Sequence, residues 1–217
     1  HKPGVSLEQK LAGLDNHLTK FNLQRFTNGY YCEPQHWSSN WKLAAENGVE
    51  SYHLFKLHPE SLKPYTPTKS AFNVAGCANW TVTAGRLQGA SPNLARLISV
   101  NNALTHYLLI SIPPSFIGVL TYQSLDWITV LPEPSNRCQV HQGGITDASG
   151  PNYRASTSQA ALAFLEENRV ICERAQQGMT ARFNRGGKLV ALEQVLVDFR
   201  RHLLARHSNV TTPQLTV

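Results

Sequence analysis

Residues Asn40 to Pro59 read NWKLAAENGVESYHLFKLHP. The stretch sets His53 and His58 in one short segment with Glu46, Asn47, Glu50 and Tyr52. Imidazole suits a divalent first-row metal, and two histidines with one carboxylate form a facial donor set that leaves positions open. Ser39 or Asn40 caps a predicted helix from about Trp41 to Leu54. Pro59 then disfavours helix at His58. On that helix Glu46, Glu50 and His53 lie close to one face, because each residue turns by about 100°. Glu50 stands three residues before His53, the spacing of neighbouring side chains. Its carboxylate could accept the far N–H of the imidazole and fix the tautomer. His58 falls about 140° from His53 on an ideal helix, so the chain must unwind between them for both rings to meet one ion. Two bare histidines would more often be surface or structural residues. The carboxylates and Asn47 in register with them make this pattern sharper.

Outward from the stretch, Ser6 to Lys20 reads as a helix, with Ser6 and Gln9 as a capping box and Leu7, Leu11, Leu14 and Leu18 on one face. Phe26 to Trp37 is aromatic and strand-like. Leu62 to Ala78 is rich in Pro, Thr and Ser and reads as a loop, long enough to be a pocket lid. Five strand-like runs follow: Asn79–Leu87, Thr105–Ile112, Phe116–Gln123, Asp126–Leu131 and Arg137–Gly143. Short turns between them imply an antiparallel meander. Ile145 to Tyr153 reads as a polar loop. Two helices close the chain, from about Ser156 to Gln177, ended by Gly178, and from about Leu189 to His207. This order of elements is α+β.

At 217 residues the chain can bury a sizeable core. Its 41% hydrophobic content is that of an ordinary globular protein. No apolar run reaches membrane-spanning length and no signal peptide is visible, so no membrane partner and a cytoplasmic location are expected. The chain opens at His1 without an initiator Met and reads as part of something longer. The net charge is +6, but the basic residues are scattered, whereas nucleic-acid binding calls for a stripe or block. Cys32, Cys77, Cys138 and Cys172 form no C-x-x-C pair and read as free thiols. No G-x-S-x-G or Walker loop occurs. Tyr52, Phe55, Trp80 and Trp127 are read as packing.

The segment NWK, EN and E-x-x-H-x4-H-P resembles the iron-binding motif of Rieske-type non-haem iron oxygenases, which include the large subunits of ring-hydroxylating dioxygenases. Here it is Asn40-Trp41-Lys42, Glu46-Asn47, Glu50 to His53, and His58-Pro59. SPNL at Ser91–Leu94, VLPEPSNRCQV at Val130–Val140 and EENRVICERAQQGM at Glu166–Met179 resemble later parts of the same catalytic domain. The resemblance implies a helix-grip (START-like) domain, with a curved antiparallel sheet around a long helix and a deep apolar pocket. It implies Fe(II) as cofactor, held by His53 and His58, with Glu50 as electron-entry residue and Asn47 beside it in the catalytic group. It also implies a homotrimer, a small organic substrate and dioxygen. Electrons would come from a Rieske two-iron two-sulfur cluster fed by a ferredoxin and reductase. That cluster needs C-x-H and C-x-x-H pairs. The chain offers only Cys138 to His141, read as strand, so residues 1–217 are one catalytic-type domain and the cluster belongs to a missing domain or a partner.

The third metal ligand departs from the family pattern, an E-D pair whose Asp lies four residues before the Cys of C-E-x-x-Q. Cys172 to Gln176 puts Asn168 in the place of the Asp and Glu167 in that of the Glu. Periodicity also turns Asn168 inward, with Ala161, Leu165, Cys172 and Ala175, while Glu166, Arg169 and Glu173 share a polar face. Either Asn168 or Glu167 is the expected third ligand. Two functions stay open. The first is an oxygenase that hydroxylates, dihydroxylates or oxidatively dealkylates an organic substrate. An aromatic substrate is favoured, and quaternary ammonium compounds remain a branch because Glu50 stands where other relatives carry Asp. The second is a non-catalytic helix-grip module that binds an apolar small molecule.

Overall fold

The computed structural model describes residues 5–51, 53, 71–87, 105–147, 151–184 and 186–206, with the side chains of residues 151–160 outside that description. Helices α1 (Leu7–Lys10) and α2 (Asp15–Leu18) precede strand β1 (Asn28–Trp37) and helix α3 (Trp41–Val49). Strands β2 (Phe72–Gly76), β3 (Thr81–Arg86), β4 (His106–Ile112), β5 (Phe116–Leu120), β6 (Ser124–Pro132) and β7 (Cys138–Thr146) follow. Helices α4 (Pro151–Met179) and α5 (Gln194–Leu204) complete the described chain.

The seven strands form one sheet in the order β1-β7-β6-β5-β4-β3-β2. Every pairing is antiparallel. The expected meander therefore runs from β2 to β7, and β1 closes it by pairing with β7. This is the curved antiparallel sheet with helices that the helix-grip reading requires.

Both faces of the sheet are covered, so its middle strands read as nearly unbroken apolar runs. In β4, Tyr107 and Leu109 join an inner core with Val130, Val140, Leu165 and Val195. Leu108 and Ile110 alternate with them and join an outer core with Leu14, Phe21, Trp80 and Leu120. Full burial of a Leu or Val contributes about 1.5–3 kcal/mol. Leu165, Val130 and Val140 are each 1% exposed or less.

Several expected boundaries move. Ser6 and Gln9 do form the capping box. The first helix is nevertheless broken into α1, α2 and two short 3-10 turns, because Gly13 takes φ +87°. The resulting turn lets Trp80 Nε1 donate to the Ala12 carbonyl at 3.2 Å. Part of the expected loop before Ala78 is strand β2, which pairs with β3. Ile145 and Thr146, at the start of the expected Ile145–Tyr153 loop, are strand, since β7 runs to Thr146 and pairs on both sides. Helix α4 starts at Pro151, earlier than Ser156, as Pro suits a first helical turn. The Leu62–Ser70 part of the lid and the SPNL segment lie outside the described residues.

His202 pins α5 to the β2–β3 turn. Its Nδ1 donates to the Ala78 carbonyl at 2.7 Å. Burial holds its pKa below the ordinary value, with Arg206 and Lys10 adding repulsion. The folded state therefore favours neutral His202. Its contribution is fully present above the unfolded pKa of about 6.5 and is lost as pH falls through that value towards the depressed folded one. Urea unfolding at about pH 7.5 and about pH 5.5 should show this loss. The variant His202→Asn keeps a donor without titrating and should show a smaller loss over the same interval.

Candidate functional site

Helix α3 is fastened to α4 by three contacts, each about one helical turn from the next. Asn40 caps α3, its Oδ1 accepting from the Lys42 N–H at 3.0 Å. The Asn40 N–H donates to Gln176 Oε1 at 2.8 Å. A turn on, Cys172 Sγ approaches the Leu43 carbonyl at 4.0 Å. A further turn on, Asn47 Nδ2 donates to Asn168 Oδ1. Positions rise along α3 as they fall along α4, so the two helices run antiparallel with a fixed register. Beneath them, a Cβ on Gly48 would lie 3.2 Å from Ile117 and 3.3 Å from Ile128. The absence of a side chain at Gly48 lets α3 press onto β5 and β6.

Asn168 takes the inward place on α4. It is 5% exposed, between Leu165 and Cys172 in the same buried stripe. Its Nδ2 donates to the Phe164 carbonyl at 2.9 Å, which orients the amide with Oδ1 towards Asn47. Glu167 is half-buried on the adjoining face. Glu166, Arg169 and Glu173 form the ion-paired outer face expected of them. Ala175 is exposed instead of inward.

The expected helical face of Glu46, Glu50 and His53 does not form. Helix α3 ends at Val49, and Glu50 is extended at φ −115°, ψ 158°. Glu46 instead makes a two-pronged ion pair with Arg200 of α5, at 2.9 and 3.0 Å. The helix ends because Gly48 and β-branched Val49 are poor formers, and because the Glu50 carboxylate takes the His53 backbone N–H at 3.2 Å.

Glu50 and His53 meet all the same. Glu50 is 8% exposed, and its Oε1 engages His53 Nδ1. In the neutral ring a carboxylate there favours the proton on Nδ1, which makes Nε2 the nitrogen that carries the lone pair. His53 Nε2 is shut off from solvent. Beside them Ser51 is buried, and burial also raises the pKa of Tyr107. Cys138 and Cys172 are no rivals as reactive groups. Burial, with added repulsion from neighbouring acids, pushes their thiols up to about 11 and about 12, so both stay protonated.

Among the described residues no cluster of three His, Cys, Asp or Glu side chains forms a metal centre. His58, Tyr52 and Phe55 lie outside the described residues. What the structure brings together is Glu50 with His53, and Asn47 with Asn168, at the end of α3. The donor chemistry suits a divalent first-row ion at His53, whose buried Nε2 is an imidazole donor backed by a carboxylate. Asn168 offers a neutral oxygen that already accepts one hydrogen bond. Sequence reasoning missed the Asn47–Asn168 contact, because two amides 121 residues apart carry no mutual signal.

A family model described as ring hydroxylating alpha subunit (catalytic domain) matches residues 23–208. No curated protein matches the sequence. Among solved structures, the quaternary ammonium Rieske monooxygenase CntA, in complex with an inhibitor, is similar with a TM-score of 0.74 at 15% identity, covering 95% of this chain and 57% of that one. Naphthalene 1,2-dioxygenase from Rhodococcus sp., bound to indole, has a TM-score of 0.65 at 13% identity, covering 95% and 64%. Dicamba monooxygenase bound to 3,6-dichlorosalicylic acid has a TM-score of 0.61 at 15% identity, covering 83% and 59%. The chain thus spans under two thirds of the length of these proteins. At such identities the likeness shows the fold.

The amide at Asn168 predicts a metal-dependent stability in one variant. In Asn168→Asp a carboxylate oxygen replaces Nδ2 and faces the Phe164 carbonyl. The lost bond and the new repulsion should cost about 1–3 kcal/mol in metal-free protein. Added iron(II) should recover more thermal stability in Asn168→Asp than in wild type, and Glu167→Gln should change the response less. Equal iron responses for wild type and Asn168→Asp would reject the inward position as a metal-facing one.

Proposed function

The chain belongs to the ring hydroxylating alpha subunit family, matching its catalytic domain, and we propose that it forms the catalytic part of an oxygenase. The substrate is a small organic molecule and the co-substrate is dioxygen. The observation that carries the reading is the Glu50–His53 pair, held at the end of α3 beside the Asn47–Asn168 contact. An imidazole whose tautomer is set by a buried carboxylate is the usual equipment of a metal-binding histidine.

His53 and His58 would hold a mononuclear non-haem iron(II), with Asn168 Oδ1 or the Glu167 carboxylate as third donor. When bound, the iron supplies dioxygen activation with electrons from a Rieske two-iron two-sulfur cluster. Glu50 keeps a proton on His53 Nδ1 and aims Nε2 inward. Its charge offsets part of the dication's charge, which matters because His53 and Asn168 are neutral. Asn47 holds the Asn168 amide oxygen in place. Burial of Glu50, Ser51 and Asn168 keeps bulk water from this end of the site.

Electrons would arrive from a ferredoxin and reductase through a Rieske domain and enter by way of Glu50. A homotrimer would bring such a domain from a neighbouring subunit. For CntA, inter-subunit electron transfer is described. An aromatic substrate and a quaternary ammonium compound both remain within the reading. No helix among the described residues is long and apolar enough to cross a membrane, which is consistent with the proposed cytoplasmic site of action.

A second reading has one observation in its favour. Asn168 is neutral, and both ends of its amide are hydrogen-bonded within the protein. That arrangement suits a non-catalytic helix-grip module binding an apolar small molecule. Metal analysis separates the two. After anaerobic loading, wild type should retain iron, and the double variant His53→Ala, His58→Ala should retain none. Glu50→Gln should keep much of the iron yet lose at least about tenfold in turnover with a reconstituted Rieske partner. Equal iron in wild type and the double variant would favour the binding module.

A further inference from the structure

Gln142 is out of character on the inner face of the sheet. Along β7 the residues on this face are Cys138, Val140, Gln142 and Gly144, and the first two belong to the inner core. In register, Gln142 lies between Cys32 of β1 and Ile128 of β6. Ile128 is the side chain on which α3 rests at Gly48, two residues before Glu50. Gln142 therefore shares its patch of sheet with the helix that leads into the site.

The side chain is 5% exposed, and Oε1 is buried with no hydrogen-bond partner among the described residues. A buried amide oxygen without a donor destabilises a fold, and Leu or Met would pack there without that cost. Such a group calls for a donor that none of the described residues supplies. One step along the same face, Gly144 leaves room for Tyr30 and Asp126 to close over it, since a Cβ there would meet the Tyr30 ring at 2.4 Å and Asp126 Oδ1 at 2.7 Å. The Tyr30 hydroxyl donates to Asp126 Oδ1 at 2.6 Å, and Ser124 Oγ donates to Asp126 Oδ2 at 2.7 Å.

We infer that Gln142 is the polar anchor of the substrate pocket, and that the substrate is an organic molecule presenting an O–H or N–H to Gln142 Oε1. The inference rests on the oxygenase reading only in naming the ligand a substrate. A site built around an acceptor selects for the donor, because a molecule lacking it leaves the oxygen unpaired.

The test uses the metal-free chain and four probes of one size: phenol, aniline, toluene and benzoate. Calorimetric titration of wild type should rank phenol and aniline about tenfold or more above toluene, with benzoate no better than toluene. Gln142→Met keeps the length and removes the oxygen. It should melt at a higher temperature than wild type and bind phenol and toluene alike. A phenol preference that survives in Gln142→Met, a preference for benzoate, or no binding of any probe would overturn the anchor. Should Gln142→Met not fold, the wild-type ranking still decides. Iron loading is measured apart. Lost donor selectivity with iron retained removes the anchor alone, and donor selectivity without iron removes the oxygenase alone.

Discussion

The antiparallel register of α3 on α4 is the constraint on which the rest of the site depends. It is set by groups of different kinds: a capping Asn40 reaching Gln176, a buried thiol against the Leu43 carbonyl, and an amide pair at Asn47 and Asn168. None is strong alone, since a neutral hydrogen bond contributes about 0.5–1.5 kcal/mol net. Together they allow one alignment. Sliding either helix by a turn would leave the buried Asn168 amide without Asn47. The close seat of Gly48 on Ile117 and Ile128 sets the depth of α3 over the sheet. With rotation and depth both set, the chain emerging from α3 delivers Glu50 and His53 at one place.

Ending α3 at Val49 separates two carboxylates that an unbroken helix would have stacked. Glu46 remains on the helix and clamps Arg200 of α5. Glu50 leaves the helix, turns inward and takes the His53 ring. One acid thus joins two helices while the other sets the state of an imidazole. The cost of burying Glu50 is met by two hydrogen bonds from His53, one from the backbone and one from the ring. Held by Glu50 at Nδ1, the His53 ring is fixed in orientation with Nε2 shut off from solvent.

Much of this was legible from residues alone. The strands were found because their apolar runs are bounded by Pro, Gly, Asn and Ser, as between Ile112 and Phe116. The inward face of α4 followed from helical period, and Leu165, Asn168 and Cys172 are indeed buried. Local pattern failed where a local signal was overruled. The leucines of residues 7–18 suggested one helix, but a positive φ at Gly13 folds that segment back over the sheet. The Pro- and Thr-rich run before Ala78 looked like loop throughout. Its last part is strand because β3 offers an open edge to pair with.

By itself the sequence determined the α+β order of elements, the paired histidine motif with Glu50 three residues before His53, and the inward position of Asn168. These are properties of spacing and periodicity, which depend on near neighbours. Only the tertiary structure decided that Glu46 belongs to Arg200, that Asn47 meets Asn168, and that Gln142 sits buried with its oxygen unpaired among the described residues. The physical reason is distance along the chain. Glu46 and Arg200 are 154 residues apart, and Asn47 and Asn168 are 121 apart. Side chains so far apart become neighbours only when sheet curvature and helix register place them, and no local propensity encodes either.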